Sequence, residues 1–260
     1  MIVPGFFTKE NSATSQDHFP HIIVFVGTVG SGKSTQIKLL TSKLHKRGLN
    51  VKNTFIETNH IFAYLLLLLL ARILTRGKRG VYSIGALIEE KPLIFKKLFK
   101  LWLTIDLFSI TLKFILRVFF PVKMGSIVLV EGYIPATISD YVYISKRMAL
   151  PLKTSYFTVN FMLRLLHVGG PTQVIFLDAR ANTLKSRWRL RGSLYERPDY
   201  LNMQRTTLKS LSKKLSSHGL LQINTGKLTI EETHKLIVNY LASFDRLRKE
   251  NRTLQCGDAI

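Results

Sequence analysis

Acidic residues are scarce in this chain. Asp and Glu number 16 against 38 Lys and Arg, which leaves a formal net charge of +22 over 260 residues. A field of that sign draws in nucleotides, nucleic acid or anionic lipid headgroups without choosing among them. Cysteine is nearly absent. The single Cys256 lies in a polar C-terminal stretch, cannot close an internal disulfide and has no metal-ligand cluster around it. A reducing cytosol is the compartment that fits. The seven histidines show no ligand spacing, and no nucleophile–base triad can be read. Isolated histidines such as His60 and His167 are expected at the surface or satisfied in the core. Met1 to Pro20 lacks the basic start and apolar core of a secretory signal and is read as an N-terminal extension. The chain has no internal repeat and no low-complexity linker.

Uncharged apolar runs of the roughly 18 residues that a spanning helix needs are also missing. Two stretches come near. Ile61 to Ala71 holds six consecutive leucines and no charge, and Leu98 to Pro121 is rich in Leu, Ile and Phe but interrupted by Lys100, Asp106, Lys113 and Arg117. Buried helices of a globular domain are the leading expectation for both. A membrane-surface or partner-binding element is the alternative, because Lys and Arg can snorkel beside an apolar face. Lys91, Lys96, Lys97, Lys100 and Lys113 keep peripheral membrane contact open.

What is present is a phosphate-binding loop. Gly27-Thr28-Val29-Gly30-Ser31-Gly32-Lys33-Ser34 fits the pattern GxxxxGK[ST] and is followed by Thr35. The apolar run Ile22 to Val26 precedes it as a buried strand. A helical pattern with Ile37, Leu40 and Leu44 on one face follows, with Gly48 as its stop. Glycines let backbone N–H groups turn inward as an anion nest, and the helix N-terminus adds partial positive charge. Lys33 then reaches the β- and γ-phosphates of ATP and Ser34 binds Mg²⁺.

Further strands are expected at Asn50 to Ile56, Ser126 to Val130, Thr172 to Leu177 and Leu220 to Asn224. Residues 60–120 read as largely helical, with a break at Thr75 to Gly80. Helices are also expected at Thr183 to Arg191, at 198–218, and from Thr229, whose Glu232 completes a capping box, through about Leu247. Alternating strands and helices predict a three-layer α/β/α fold with a five-stranded parallel sheet and a helical lid. One domain is expected over 21–248, with a lid segment at about 185–200 and a polar tail over 249–260.

Ligands of a parallel sheet sit beyond the carboxyl ends of its strands. Glu57, Glu131 and Asp178 fall there. A carboxylate in that place holds a metal-bound water or takes a substrate proton. Arg187 and Arg191 share a helix face, and with Arg197 they suit a lid that closes over a transferring phosphoryl group.

The order of these parts resembles the thymidylate kinase-like branch of P-loop nucleoside monophosphate kinases, from about His21 to Leu247. Ile56-Glu57-Thr58 matches its acidic strand end, and Val130 to Tyr133 matches its Asp-Arg-Tyr type motif. Ser139-Asp140-Tyr141 matches its substrate-facing loop, and Gln173 to Ala179 matches the strand before its lid. Arg187 through Gly192, with Glu196, matches the lid itself. The resemblance implies ATP- and Mg²⁺-dependent transfer to a nucleoside monophosphate, with dTMP as the leading acceptor. Lys33, Glu131, Arg187 and Arg191 would be catalytic. Residues 27–35 and Arg197 would hold ATP, Glu57, Tyr133 and Tyr141 would face the acceptor, and Ser34 and Glu131 would hold the metal. It also implies a homodimer through apolar helices.

Two positions depart from the family pattern. Gly132 stands where the motif carries arginine, and Asp106 is followed by Leu107 where the family has an Asp-Arg pair. A monophosphate acceptor is already an oxyanion and needs cations, whereas a hydroxyl acceptor needs a carboxylate base. A kinase of a nucleoside or lipid-like alcohol, with Glu131 or Glu57 as base, therefore stands as the alternative. A nucleotide-regulated module that binds membrane or nucleic acid ranks third, since no nucleic-acid motif stands out.

Overall fold

The computed structural model describes residues 20–58, 61–74, 87–88, 90–150, 157–168, 172–192, 196–216 and 219–257. The extension before residue 20, His60 and the break at 75–80 lie outside them. The side chains of His167 and Cys256 do as well.

Five strands run β1 (Ile22–Gly27), β2 (Val51–Ile56), β3 (Ile127–Gly132), β4 (Thr172–Asp178) and β5 (Leu220–Asn224). All neighbours are parallel, in the order β2-β3-β1-β4-β5. The expected five-stranded α/β fold is therefore present. The strands read as unbroken apolar runs because both faces are covered. Ile22, Val24 and Val26 turn to one face with Val128, Val130 and Phe176. Ile23 and Phe25 turn to the other with Leu129, Ile175 and Leu177.

The second face is covered by α1 (Lys33–His45) and α8 (Ile230–Gly257), through Ile37, Leu40, Leu44, Ile237 and Leu241. Helix α1 ends as expected at Gly48, whose φ of 75° is one that side chains avoid. Helix α8 opens on the predicted box. The Thr229 N–H donates to Glu232 Oε2 at 2.8 Å and the Glu232 N–H to Thr229 Oγ1 at 3.1 Å. It continues to Gly257, past the tail boundary expected at residue 249.

The first face is covered by α2 (Ile61–Leu74), α3 (Pro92–Phe114), α4 (Tyr133–Arg147), α5 (Phe157–Val168) and α7 (Pro198–Leu215); α6 (Ala181–Leu190) lies between β4 and α7 in the chain. Helix α3 runs into a π turn over Ile115–Phe119 and a last α turn over Phe120–Lys123. Pro121 accounts for it: proline has no N–H to donate and its ring crowds the preceding turn, so the ladder widens there.

The two apolar segments are not buried throughout, as the leading expectation had them. Helix α2 sinks Ala63 and Leu67 into the core but leaves Leu65 59%, Leu69 56% and Ile73 68% exposed. Helix α3 buries Phe95, Phe99, Trp102 and Ile110 and exposes Leu101 and Phe108. Six leucines in a row must point all round a helix, and only one side of α2 has a core to meet. No helix among the described residues is long and apolar enough to cross a membrane.

These two environments should respond differently to truncation. Leu129→Ala, in the middle of the sheet, is expected to destabilise the fold by about 2–5 kcal/mol. Leu65→Ser should stay within about 0.5 kcal/mol of wild type. Urea unfolding of the two variants checks both.

Candidate active site

Strand β1 delivers the chain into the loop 27–34 at the carboxyl edge of the sheet. Gly27 is tight: a Cβ there would lie 1.9 Å from the Leu177 carbonyl oxygen. Gly30 is tight as well, with Trp188 Nε1 at 2.7 Å from such a Cβ. Gly32 has open space around it and takes a φ of 97° as the N-cap of α1. No side chain caps this helix, and its first turn carries no acid. Its first N–H groups are therefore left for an external anion. Lys33 is buried and folds back, donating from Nζ to the Gly27 and Thr28 carbonyls at 3.1 Å each.

Glu131, at the end of β3, faces the loop. Its Oε1 accepts from Ser34 Oγ at 3.0 Å and lies 3.9 Å from Lys33 Nζ. An exposed hydroxyl and a carboxylate side by side are the oxygen donors a small divalent cation prefers, so Ser34 and Glu131 fit Mg²⁺ by chemistry.

Around the loop stands a frame that the sequence did not foretell. Asp178, weighed as a site carboxylate, takes a hydrogen bond from Thr28 Oγ1 at 3.0 Å and is gripped by Arg205, whose Nη2 also reaches the Ala179 carbonyl at 2.8 Å. Arg187, expected in the lid, donates to the Gly30 carbonyl at 3.1 Å and to Thr225 Oγ1 and O at 3.0 and 2.8 Å. Thr225 Oγ1 in turn reaches the Ser31 carbonyl at 3.0 Å. Trp188 Nε1 holds the Val29 carbonyl at 3.1 Å. Arg205, Trp188 and Thr225 escaped sequence reasoning. Thr225 follows a strand end, the same signal that pointed to Asp178, whereas nothing distinguished Arg205 on a basic helix.

The remaining lid residues divide. Arg191 is exposed and borders a cavity of about 230 Å³ with Arg187, Gly30, Thr35, Gln36 and Thr225. That cavity adjoins the loop and has room for part of a nucleotide. Arg197 is exposed and pairs with Asp199 at 3.2 Å. Residues 193–195 lie outside the described set.

On the other side of Glu131 the walls are acidic. Glu57 packs against Gly132: a Cβ there would meet the Glu57 side chain at 3.1 Å and the Ile56 carbonyl at 2.9 Å, and φ is 80°. An arginine at that position, as the family motif would have, finds no room. The Glu57 side chain is exposed to solvent. Loss of hydration, then Asp140, raise its carboxyl to about 7, against the pull of Lys33. Asp140 accepts from Thr58 Oγ1 at 2.9 Å and Tyr200 Oη at 2.7 Å, and burial lifts it to about 6. Burial lowers Lys33, while Glu131 and Glu57 push it back up.

Residues 139–141 are not in a loop, as the resemblance implied, but inside α4, a continuous helix from Tyr133 to Arg147. Tyr141 and Tyr133 are wholly buried. Tyr141 donates to Asp106 Oδ2 at 2.6 Å, and Tyr133 packs on Phe114 with ring centroids 6.2 Å apart. Both shape the wall from behind, where no solvent reaches them. Asp106 has a tyrosine partner in place of the arginine expected beside it.

No family model and no curated protein matches the sequence. Among solved structures, the deoxyadenosine kinase from M. mycoides with bound dCTP is similar in fold, with 16% identity and a TM-score of 0.49, over 85% of this chain and 98% of that one.

The frame can be told from a lid by removing one arginine at a time. Arg187→Ala orphans the Gly30 and Thr225 acceptors and should cost the nucleotide-free protein about 1–3 kcal/mol. Arg191→Ala should leave its melting within about 0.5 kcal/mol of wild type. Calorimetry on both decides; equal melting would mean that Arg187 does not brace the loop.

Proposed function

We propose that this protein transfers the γ-phosphoryl group of ATP to a hydroxyl on a small acceptor, with a nucleoside as the acceptor class and Glu57 as the base. The observation that carries the reading is Glu57 itself: a carboxyl raised to about 7, beside Asp140 and across from Lys33. A group titrating there is ionised often enough at neutral pH to take a proton and basic enough to hold it.

In this reading the loop amides of residues 30–34 and Lys33 bind the ATP phosphates, and Lys33 leaves its carbonyl partners to do so. Bound between Ser34 and Glu131, Mg²⁺ would neutralise phosphate oxygens. Glu57 accepts the hydroxyl proton. The freed oxygen bonds to the γ-phosphorus while the bond to the bridging oxygen breaks, and ADP leaves. Arg191 lies near enough to Lys33 to lower it, and supplies charge to the transferring group. Glu57, Asp106 and Asp140 line or back one side of the crevice, and such a wall favours a neutral acceptor that donates hydrogen bonds over one already doubly negative.

One observation favours the monophosphate reading, with dTMP as acceptor. Lys113 Nζ lies 3.5 Å over the Phe55 ring and is coupled to both Glu57 and Arg117. Lys113 and Arg117 could together hold an acceptor phosphate in place of the arginines that the family motif would supply.

Glu57→Gln separates the two. With a hydroxyl acceptor, kcat should fall about 10²–10⁴-fold. Below about 7 the Glu57 carboxyl is protonated and cannot accept a proton. Wild-type kcat/KM should therefore climb with pH through about 7 and level off, and the variant should lose that limb. A variant that still phosphorylates dTMP at the wild-type rate would remove the base.

The acceptor itself is found by following ADP release with Mg²⁺ and ATP against free nucleosides, nucleoside monophosphates and isoprenoid alcohols. Turnover is expected on a nucleoside and absent in Lys33→Ala. Turnover on dTMP alone would promote the second reading. Tight ATP binding with no acceptor turned over would end both.

A further inference from the structure

We propose that the outward face of α2 and α3 is a docking surface for an anionic lipid bilayer. Exposed Leu65, Leu69 and Ile73 run along α2, and exposed Leu101 and Phe108 run along α3. The two rows join where Phe62 meets Phe108, with ring centroids 5.9 Å apart, and the Ala63 N–H donates to Ser109 Oγ at 3.4 Å just beneath. A continuous apolar face of this kind, on two packed helices, is more than the scattered exposed leucines of an ordinary surface.

Charge decides what covers it. Arg72 stands among the exposed leucines of α2, and Lys97 and Lys100 stand on the outward side of α3 beside Leu101. In the two helices together the only acidic residue is Asp106, which is buried against Tyr141. A second copy related by a two-fold axis would bring this same basic, apolar patch against itself and set Arg72 and Lys97 against their own like charges. A bilayer carrying anionic lipid answers both features at once. Its acyl region takes Leu65, Leu69 and Phe108, while Arg72, Lys97 and Lys100 reach up their own stems to the headgroups. Lys96 and Arg147 extend the positive rim around a concavity of about 370 Å³ at the start of α3. None of these residues belongs to the phosphate loop or to the acidic wall, so the proposal stands independently of the proposed reaction.

The test is sedimentation of the full chain with vesicles of phosphatidylcholine, with and without phosphatidylserine. Binding is expected only with phosphatidylserine and should weaken as salt rises. The paired change Leu65→Ser and Leu69→Ser keeps the net charge and should weaken binding about tenfold or more. Lys97→Glu with Lys100→Glu should weaken it at least as much. Leu101→Ser with Phe108→Ser repeats the first test on α3 if the α2 variant does not fold, and ATP binding reports that each variant is intact. Absence of binding to anionic vesicles at low salt overturns the proposal. Wild-type binding by both serine pairs overturns it too, because the charge of the chain at large would then be the cause. A dimer that the serine pairs break, with no vesicle binding, assigns the face to a second copy instead.

Discussion

The glycine loop after β1 keeps its shape because the end of β1 runs hard against the end of β4. The Leu177 carbonyl lies where any side chain on residue 27 would begin, so only glycine lets the two strand ends approach so closely. From that contact the rest follows in order. The chain must turn away over β4, which brings Thr28 onto Asp178. Asp178, fixed by Arg205, then ties the loop to α7. The turn lifts Gly30 over Trp188 and exposes its carbonyl to Arg187. Beyond these contacts Gly32, as N-cap, starts α1 with no side chain capping its first N–H groups.

This frame explains how a chain with so many cations can afford a rigid anion site. Arg187 and Arg205 are turned onto backbone carbonyls and a carboxylate beside the loop, where they hold its geometry. Arginine suits that work because its planar fork can meet two acceptors at once. In the proposed reaction the positive charge for a nucleotide comes from Lys33, Arg191 and the helix terminus. An arginine-rich helix beside a phosphate loop therefore does two jobs, separated by which way each side chain points.

That separation marks the limit of what the sequence revealed. The strands were legible because each is buried on both faces, and an apolar run says so directly. The phosphate loop was legible because its mechanism is local: glycines, lysine and serine at fixed spacing before a helix. The capping box at Thr229 was legible for the same reason. Arg187 and Arg191 were placed on one helix face, but four residues of helix do not say which of them meets Gly30, since that depends on how Leu184 and Trp188 pack with Ala179 and Leu201. Tyr133 and Tyr141 were read as facing the acceptor, whereas the continuity of α4 turns both inward. The leucine run was read as core because composition counts apolar residues and not the number of neighbours available to cover them.

Acid in this protein is rare, and its distribution is what gives the crevice its character. Glu57, Glu131 and Asp178 follow or end three strands of one parallel sheet, and Asp106 and Asp140 reach toward the same region from α3 and α4. Much of the surface elsewhere is basic. An incoming polyanion is drawn to the molecule by its net field but meets local negative charge on one side of the crevice and amides and lysine on the other. In the proposed reaction phosphates are therefore sorted to the loop side. In the proposed reaction the opposite wall takes a group that brings no charge of its own, and loss of hydration, then Asp140, raises the Glu57 carboxyl to about 7, where it can exchange a proton with that group. The scarcity of acid and its concentration at the strand ends are thus one arrangement in the proposed reaction: a basic exterior gathers nucleotide, and an acidic wall selects what it reacts with.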